Sequence, residues 1–301
     1  MVKVSVIIPT YGKPVFLEKS IDSVCKQTMS DWELIIVDDN DPDTIARNQT
    51  EVIVKSFISD DQRIKYIKHD HNRNGAVARN TGFAIAEGQY IALLDSDDEY
   101  LPERLRVCCD VLDNASEVIA GVYTGCEYRK GGKVFNRVTL VPSGNFLTET
   151  LACKFHFSTG SNIFVRKCVV DELHGFDPLF LRHQDYEFLV RVFEKYDLIG
   201  IPDILVIKNN ENWNLPNVDK LIAIKKQYLM KFQSVISKLN KAQQDYVFFW
   251  QNISLAEASM AQKRYRLANS FYREAHRYGS FSIKIWFRRL VYPFFIAIKH
   301  R

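Results

Sequence analysis

Short, nearly continuous apolar runs punctuate the first part of the chain, and several end abruptly in polar groups. Val4–Ile8, Leu34–Val37 and Tyr90–Leu94 lack the alternation of a half-exposed strand, as expected of strands covered on both faces of a sheet. Between them lie stretches with helical spacing. Residues 14–27 carry Leu17, Ile21 and Val24 on one stripe that Thr28 continues just past the end, 41–58 follows as a second helix, and 75–87 is stopped by Gly88. A strand is predicted at 64–68, and Pro102 suits the first turn of a helix over 102–113. This strand–helix alternation predicts an α/β fold with a mostly parallel sheet.

From residue 118 the pattern loosens. Strands are predicted at 118–123, 134–140, 162–166 and 204–208, which make the sheet mixed. A helix over 183–196 aligns Phe188, Val192 and Tyr196, with Leu189 and Phe193 beside them. After Asn209 no strand signal remains, and the polar stretch NNENWNLPNVD marks a boundary near 210–218. The reading is therefore a domain over 1–212 and a helical region over 213–301. Within the latter, Ser254–Tyr278 predicts a helical hairpin resembling one tetratricopeptide-type unit, which must pack on a neighbour because one unit cannot bury itself. Ile283–Ile298 mixes aromatics with Lys284, Arg288 and Arg289, and suits either an anionic membrane surface or docking on the protein itself.

The chain has 301 residues, 47% of them hydrophobic, enough to bury a sizeable core. A formal net charge of +4 is not the signature of a nucleic-acid binder. The six cysteines form no C-x-x-C pair and no metal-ligand spacing with histidine, so they read as reduced core residues of a cytosolic protein. No secretory signal is evident, and no apolar run reaches the ~20 residues of a spanning helix.

The chemistry concentrates where strands end. Asp95, Asp97, Asp98 and Glu99 follow directly on Tyr90–Leu94. Carboxyl ends of strands are where open α/β sheets bind ligands. Asp-x-Asp there is a good donor set for a hard divalent cation holding a diphosphate, and the plain alternative is a solvated acidic turn. Asp38-Asp39 ends a second run and Pro9-Thr10-Tyr11 a third, which points to one shared crevice. An EF-hand starting at Asp95 fails, because its sixth and twelfth positions are Tyr100 and Arg106. No G-x-G-x-x-G or Walker A loop follows the first strand.

Taken together, VSVIIPTY (4–11), LIIVDD (34–39), NGAVARNTG (74–82), YIALLDSDD (90–98) and HQDYEFLVR (183–191) resemble the inverting glycosyltransferases of family 2, which have the GT-A fold. The resemblance covers roughly residues 1–210. It implies that Pro9, Thr10 and Tyr11 line the nucleotide base and that Asp39 accepts from the uracil N3–H. Asp38, its neighbour, is a candidate helix cap. Arg79 is implied to face the nucleotide or diphosphate, Asp95 with Ser96 to hold the ribose side, and Asp97 to coordinate Mn²⁺ or Mg²⁺ between the phosphates. Asp98 either assists or caps the next turn. Asp185 is implied as general base toward the acceptor hydroxyl, with Glu187 and His183 as rivals and simple helix capping as the alternative. Gln184 stands where the family pattern has Glu. Asn80 and Gly82 read as structural, and Ser158–Ser161 as lining the donor sugar.

The expectation is a metal-dependent, inverting hexosyltransferase. It would move one sugar from a nucleotide-sugar, most simply a UDP-sugar, to a glycan or lipid-linked glycan in bacterial surface polysaccharide (capsule, O-antigen or lipopolysaccharide) assembly. Its expected place is cytoplasmic and peripheral on the inner membrane, with no nucleic-acid partner. The missing Q-x-x-R-W sequence and transmembrane bundle argue for a single transfer per encounter. The alternatives are a nucleotidyltransferase or an inactive nucleotide-binding module.

Overall fold

The structure, a computed structural model, describes residues 2–12, 14–209, 217–282 and 285. It divides into two compact units, residues 1–145 with 156–212 and residues 146–155 with 213–301. The division sets 146–155 apart from its neighbours in sequence.

The first unit runs β1 (Val4–Thr10), α1 (Leu17–Cys25), β2 (Trp32–Asp38), α2 (Ile45–Asp60), β3 (Ile64–Lys68), α3 (Gly75–Ile85), β4 (Tyr90–Leu93), β5 (Asp98–Tyr100), α4 (Arg104–Asp113), β6 (Ile119–Lys130) and β7 (Lys133–Val138). The chain then supplies α5 (Leu147–Leu151) to the second unit and returns as β8 (Phe164–Arg166), α6 (Lys167–Glu172), α7 (Gln184–Phe193) and β9 (Asp197–Asn209). Among the described residues the strands form one sheet in the order β3-β2-β1-β4-β8-β6-β9-β5, with β7 on β6. This is the mixed α/β, GT-A-type architecture expected from the sequence.

The parallel half is β3-β2-β1-β4, and its register builds the site. Ile7 pairs with Ile35 on one side and Leu93 on the other, so all three strands deliver their carboxyl ends to one edge. Thr10 pairs with Asp38, and the Asp39 amide donates to the Thr10 carbonyl at 2.9 Å. The core on this sheet includes Val4, Val6, Ile8, Leu34, Ile36, Tyr90, Ala92 and Phe164, all buried. Gly82 allows α3 to lie close on β1, since a Cβ there would sit 2.6 Å from Ile7 Cγ2. Asn80 fixes the same helix to the loop before α7: its side chain donates to the Phe176 carbonyl and accepts from the Phe176 amide, both at 2.8 Å. Both residues have the structural role read from the sequence.

Four elements of this unit differ from the sequence-based expectation. β6 is twelve residues long, and β9 starts at Asp197 rather than near 204. Each is stabilised by pairing with the other over most of its length, a partner that local periodicity cannot reveal. The acidic segment itself forms β5, antiparallel to β9, with Asp98 opposite Lys208. The predicted helix over 183–196 ends at Phe193. Among the cysteines, Cys108, Cys109 and Cys126 are core residues as expected, whereas Cys168 is exposed and Cys25 and Cys153 are half-buried.

The second unit contains α5, α8 (Val218–Lys231), α9 (Gln233–Lys238), α10 (Lys241–Ala261) and α11 (Tyr265–His276). α10 and α11 make the expected hairpin, and Ile253, Ala256, Met260, Ala268, Tyr272 and Ala275 form its core. α10 starts well before the predicted Ser254 because Asn240 and Gln243 form a reciprocal capping box at its amino terminus. The hairpin does pack on neighbours. Gln251 of α10 donates to the Leu151 carbonyl at 2.6 Å, and Tyr228 of α8 donates to the Thr150 carbonyl at 2.9 Å. The predicted terminal helix over 283–298 lies outside the described residues, apart from Ile285. No described helix is long and apolar enough to cross a membrane.

Candidate active site

At the carboxyl edge of the parallel strands lies a crevice of about 840 Å³, lined by residues that include Pro9, Thr10, Tyr11, Asp39, Arg79, Asp95, Ser96 and Asp97. Every nucleotide- and metal-side residue read from the sequence thus reaches one cavity. The volume falls in the usual range for small-molecule sites, roughly 300–1,000 Å³. Tyr11 is 64% exposed, so its ring is not packed away on the next loop.

Asp39 is held rigidly. Its Oδ1 accepts from the Arg73 amide at 2.8 Å and faces His69 Nδ1 at 2.7 Å, while Oδ2 accepts from Asn72 Nδ2 at 2.9 Å. The far ring nitrogen of His69 contacts Thr81 Oγ1 at 2.9 Å. A carboxylate oxygen has two lone pairs, so Oδ2 keeps one acceptor direction for a ligand N–H. Asp38 behaves differently. It is buried, pairs with Arg47 Nε at 3.3 Å, accepts from Tyr66 at 2.5 Å and binds the Asn40 amide at 3.0 Å. It is neither a helix cap nor a crevice residue; Thr44 caps α2 instead.

Arg79 crosses the floor from α3. It donates to Asp95 Oδ1 at 2.7 Å and to Gln184 Oε1 at 3.0 Å. Gln184 in turn donates to the Phe180 carbonyl at 2.7 Å, a bond that a glutamate in this position would forfeit. The Arg79 Nε, buried, has no hydrogen-bond partner.

The acids separate into two roles. Asp95, Asp97 and Asp98 each offer a carboxylate oxygen within 4.8 Å of the others. Asp97 is exposed to the crevice, and its carboxyl is raised above the usual range by its depth in the site and then by Asp95. Asp98 is buried and already committed. Its Oδ2 accepts from Ser161 at 2.6 Å and Thr159 at 2.9 Å, and its Oδ1 accepts from the Asn209 amide at 3.2 Å. It is a brace rather than a cap. Burial pushes its carboxyl up to about 7, against the pull of Lys208. Hard, crowded carboxylate oxygens of this kind fit a Mg²⁺ or Mn²⁺ site, where one or two carboxylates and substrate phosphates complete the shell. Asp97, with the free oxygen of Asp95, is the accessible part of that set.

Asp185 does not line the crevice cavity itself; it lies just beyond Gly160. A Cβ on Gly160 would be 3.5 Å from Asp185 Oδ2 and 3.5 Å from Asp95 Oδ2, so the two carboxylates flank the same small space. Asp185 is in the first turn of α7, whereas the N-cap is His183, in a left-handed conformation with φ of 61°. Capping is therefore not its role, although the helix terminus favours its negative form. Burial nevertheless raises its carboxyl, with Arg79 opposing and Asp95 adding to the shift. Its rival Glu187 is fully buried and tied to Arg191 through both oxygens at 2.7 Å.

Sequence reading missed Lys208, Ser161 as a brace, and Arg104. Lys208 Nζ donates to Thr159 Oγ1 at 3.0 Å, and Asp98, Asp95 and Asp97 raise its ammonium against the effect of burial. Arg104 is wholly buried, donating to Thr124 and Asn162 side chains and to the Ser161 carbonyl. Of these only Lys208 left a sequence signal, a charge directly after the apolar run Ile204–Ile207, which is rare in a buried strand unless the charge is paired.

The profile of the family described as "Glycosyl transferase family 2" matches residues 5–173. An uncharacterized glycosyltransferase of Methanocaldococcus jannaschii is 29% identical over 264 residues, 82% of this chain and 83% of that protein. The GalNAc(5)-diNAcBac-PP-undecaprenol β-1,3-glucosyltransferase of Campylobacter jejuni is 36% identical over 184 residues, 58% of this chain and 57% of that protein. In fold, the chain is similar to S. aureus TarS 1–349 in complex with UDP-GlcNAc, with a TM-score of 0.56 and 15% identity over 91% of this chain and 89% of that one. With its GT-A-type sheet and a family profile that matches more than half of its length, this chain belongs to glycosyl transferase family 2, and it is a glycosyltransferase.

Proposed function

We propose that the chain is a metal-dependent, inverting enzyme that moves one sugar from a UDP-sugar to a lipid-linked glycan acceptor in surface polysaccharide assembly. The observation that carries this reading is the pairing of Asp185 and Asp95 across Gly160, at equal 3.5 Å distances from one point. A base and a donor-holding acid must face one reacting carbon, and both carboxylates border the space beside Gly160. The glucosyltransferase relative, whose name specifies an undecaprenol-linked acceptor, supports the acceptor class.

In this reading Asp39 accepts from the uracil N3–H with its remaining lone pair, and Tyr11 offers a ring face to the base. Arg79 holds Asp95 in place while leaving its Oδ2 toward the ribose. Asp97 would hold Mn²⁺ or Mg²⁺, which when bound supplies positive charge for the departing diphosphate. Asp185 takes the proton of the acceptor hydroxyl as its oxygen attacks the anomeric carbon from the side opposite the leaving group. That geometry inverts the configuration. The basic, aromatic stretch at 283–298 is proposed to hold the protein at the cytoplasmic membrane face, near a lipid-linked acceptor.

The test is isothermal titration with UDP, GDP and dTDP, with and without Mn²⁺, followed by product analysis with the matching nucleotide-sugars. Mn²⁺-dependent UDP binding and a product of inverted anomeric configuration are expected. A retained configuration, or nucleotide binding indifferent to metal, overturns the mechanism.

A further inference from the structure

The helical unit contains a second cavity, of about 410 Å³, between α8, α9 and α10. Its walls are mostly apolar, from Ile222, Leu229, Met230, Ile236, Phe248 and Leu255. An amine lies among them. Lys225 lines the cavity yet is only 2% exposed, and its Nζ donates to Gln251 Oε1 at 2.5 Å. Gln251 is also buried and cannot turn away, because its amide nitrogen donates to the Leu151 carbonyl at 2.6 Å and approaches Cys153 Sγ at 3.4 Å.

An ammonium has three protons to place, and the Gln251 oxygen takes one. Among the described residues no carboxylate lines the cavity, and its other charged group is Lys226. A lysine is almost never fully buried unless an acid compensates it. Consistent with this, burial drives the Lys225 ammonium below the usual lysine range, and the neighbour acting against that shift is the Cys153 thiol rather than an acid. Two lysines facing an apolar cavity without a carboxylate is charge arranged for an anion carried on a hydrocarbon.

We propose that this cavity binds an anionic amphiphile, a phosphate or carboxylate on a single aliphatic chain, with the head on Lys225 and the chain along Leu229, Ile236 and Leu255. The bound anion pairs with the Lys225 ammonium and accepts the protons that Gln251 leaves over. The chain covers apolar wall that the described residues leave open.

The test uses the full chain and titrates decyl phosphate, decanoate, decanol and inorganic phosphate, all below micelle concentrations. Decyl phosphate or decanoate should bind saturably, and which binds tighter identifies the head group. Lys225→Met should weaken that binding by about 10-fold to 100-fold, the loss expected for one charge-assisted hydrogen bond, and leave decanol unchanged. Leu229→Trp fills the cavity without touching the amine and should abolish binding, which keeps the test sound if Lys225→Met does not fold. The proposal is overturned if neither amphiphile saturates, if Lys225→Met binds as well as the parent, or if inorganic phosphate binds as tightly as decyl phosphate.

Discussion

Ser161 Oγ donates to the Asp98 carboxylate at 2.6 Å and accepts from the Asp95 amide at 2.9 Å. One hydroxyl thereby ties the acidic segment to the loop that carries Gly160. Ser161→Ala removes a bond to a buried carboxylate and leaves the Asp95 amide short of an acceptor. The expected cost is about 1–3 kcal/mol of stability, with loss of rate beyond what unfolding explains. Thermal melts and kcat on the same preparation measure both; a variant with unchanged melting and rate removes Ser161 from the brace.

Asp185→Asn keeps the shape of the side chain and removes its basicity. Donor binding should be preserved while transfer falls by about 100-fold or more, the usual worth of a general base. Titration with UDP and a transfer assay separate the two effects. If transfer persists at a near-parental rate, the base is another group.

The raised carboxyl of Asp185 has a kinetic consequence. The base must be deprotonated to act, and the folded protein holds that proton more tightly than a free aspartate does. Activity should therefore be lost on acidification at a pH above the ordinary aspartate value of about 4. A pH profile of kcat/KM measures the acid limb; a limb at the ordinary value contradicts the role given to Asp185.

Asp97 is exposed and makes no structural bond through its carboxylate comparable to those of Asp98. Asp97→Asn should leave the melting temperature unchanged and abolish the Mn²⁺ dependence of UDP binding. Metal-dependent binding that survives in the variant moves the metal to another carboxylate.

Gly82→Ala places a methyl 2.6 Å from Ile7 Cγ2 on the central strand. Overpacking of this kind costs about 1–3 kcal/mol. Because Ile7 is in the strand that ends at Pro9 and Thr10, UDP affinity should weaken along with stability. Calorimetric unfolding tests the first expectation and nucleotide titration the second; a melting temperature equal to the parent's shows that α3 shifts freely.

The parallel strands, the helices between them and the acids at their ends were legible in the sequence, because both faces of these strands are covered and each ends where its apolar run ends. Asp39, Asp95 and Asp97 could be placed in one crevice from that alone. Which carboxylates stay open and which are consumed was not legible. Asp97 and Asp98 are adjacent and chemically identical, yet one faces the crevice and the other accepts hydrogen bonds from Thr159, Ser161 and Asn209. That difference depends on β5 pairing with β9, a contact between residues more than a hundred positions apart.

By itself, then, the sequence determined the fold class, the edge of the sheet that carries the chemistry and the residue types available there, since hydrophobic period and strand ends are local properties. Only the tertiary structure decided the approach of Asp185 to Asp95 across Gly160, the locking of Asp38 and Glu187 into ion pairs, and the burial of Lys208 and Lys225. A charge's role depends on its partners and its solvent, and these are set by segments far away in the chain.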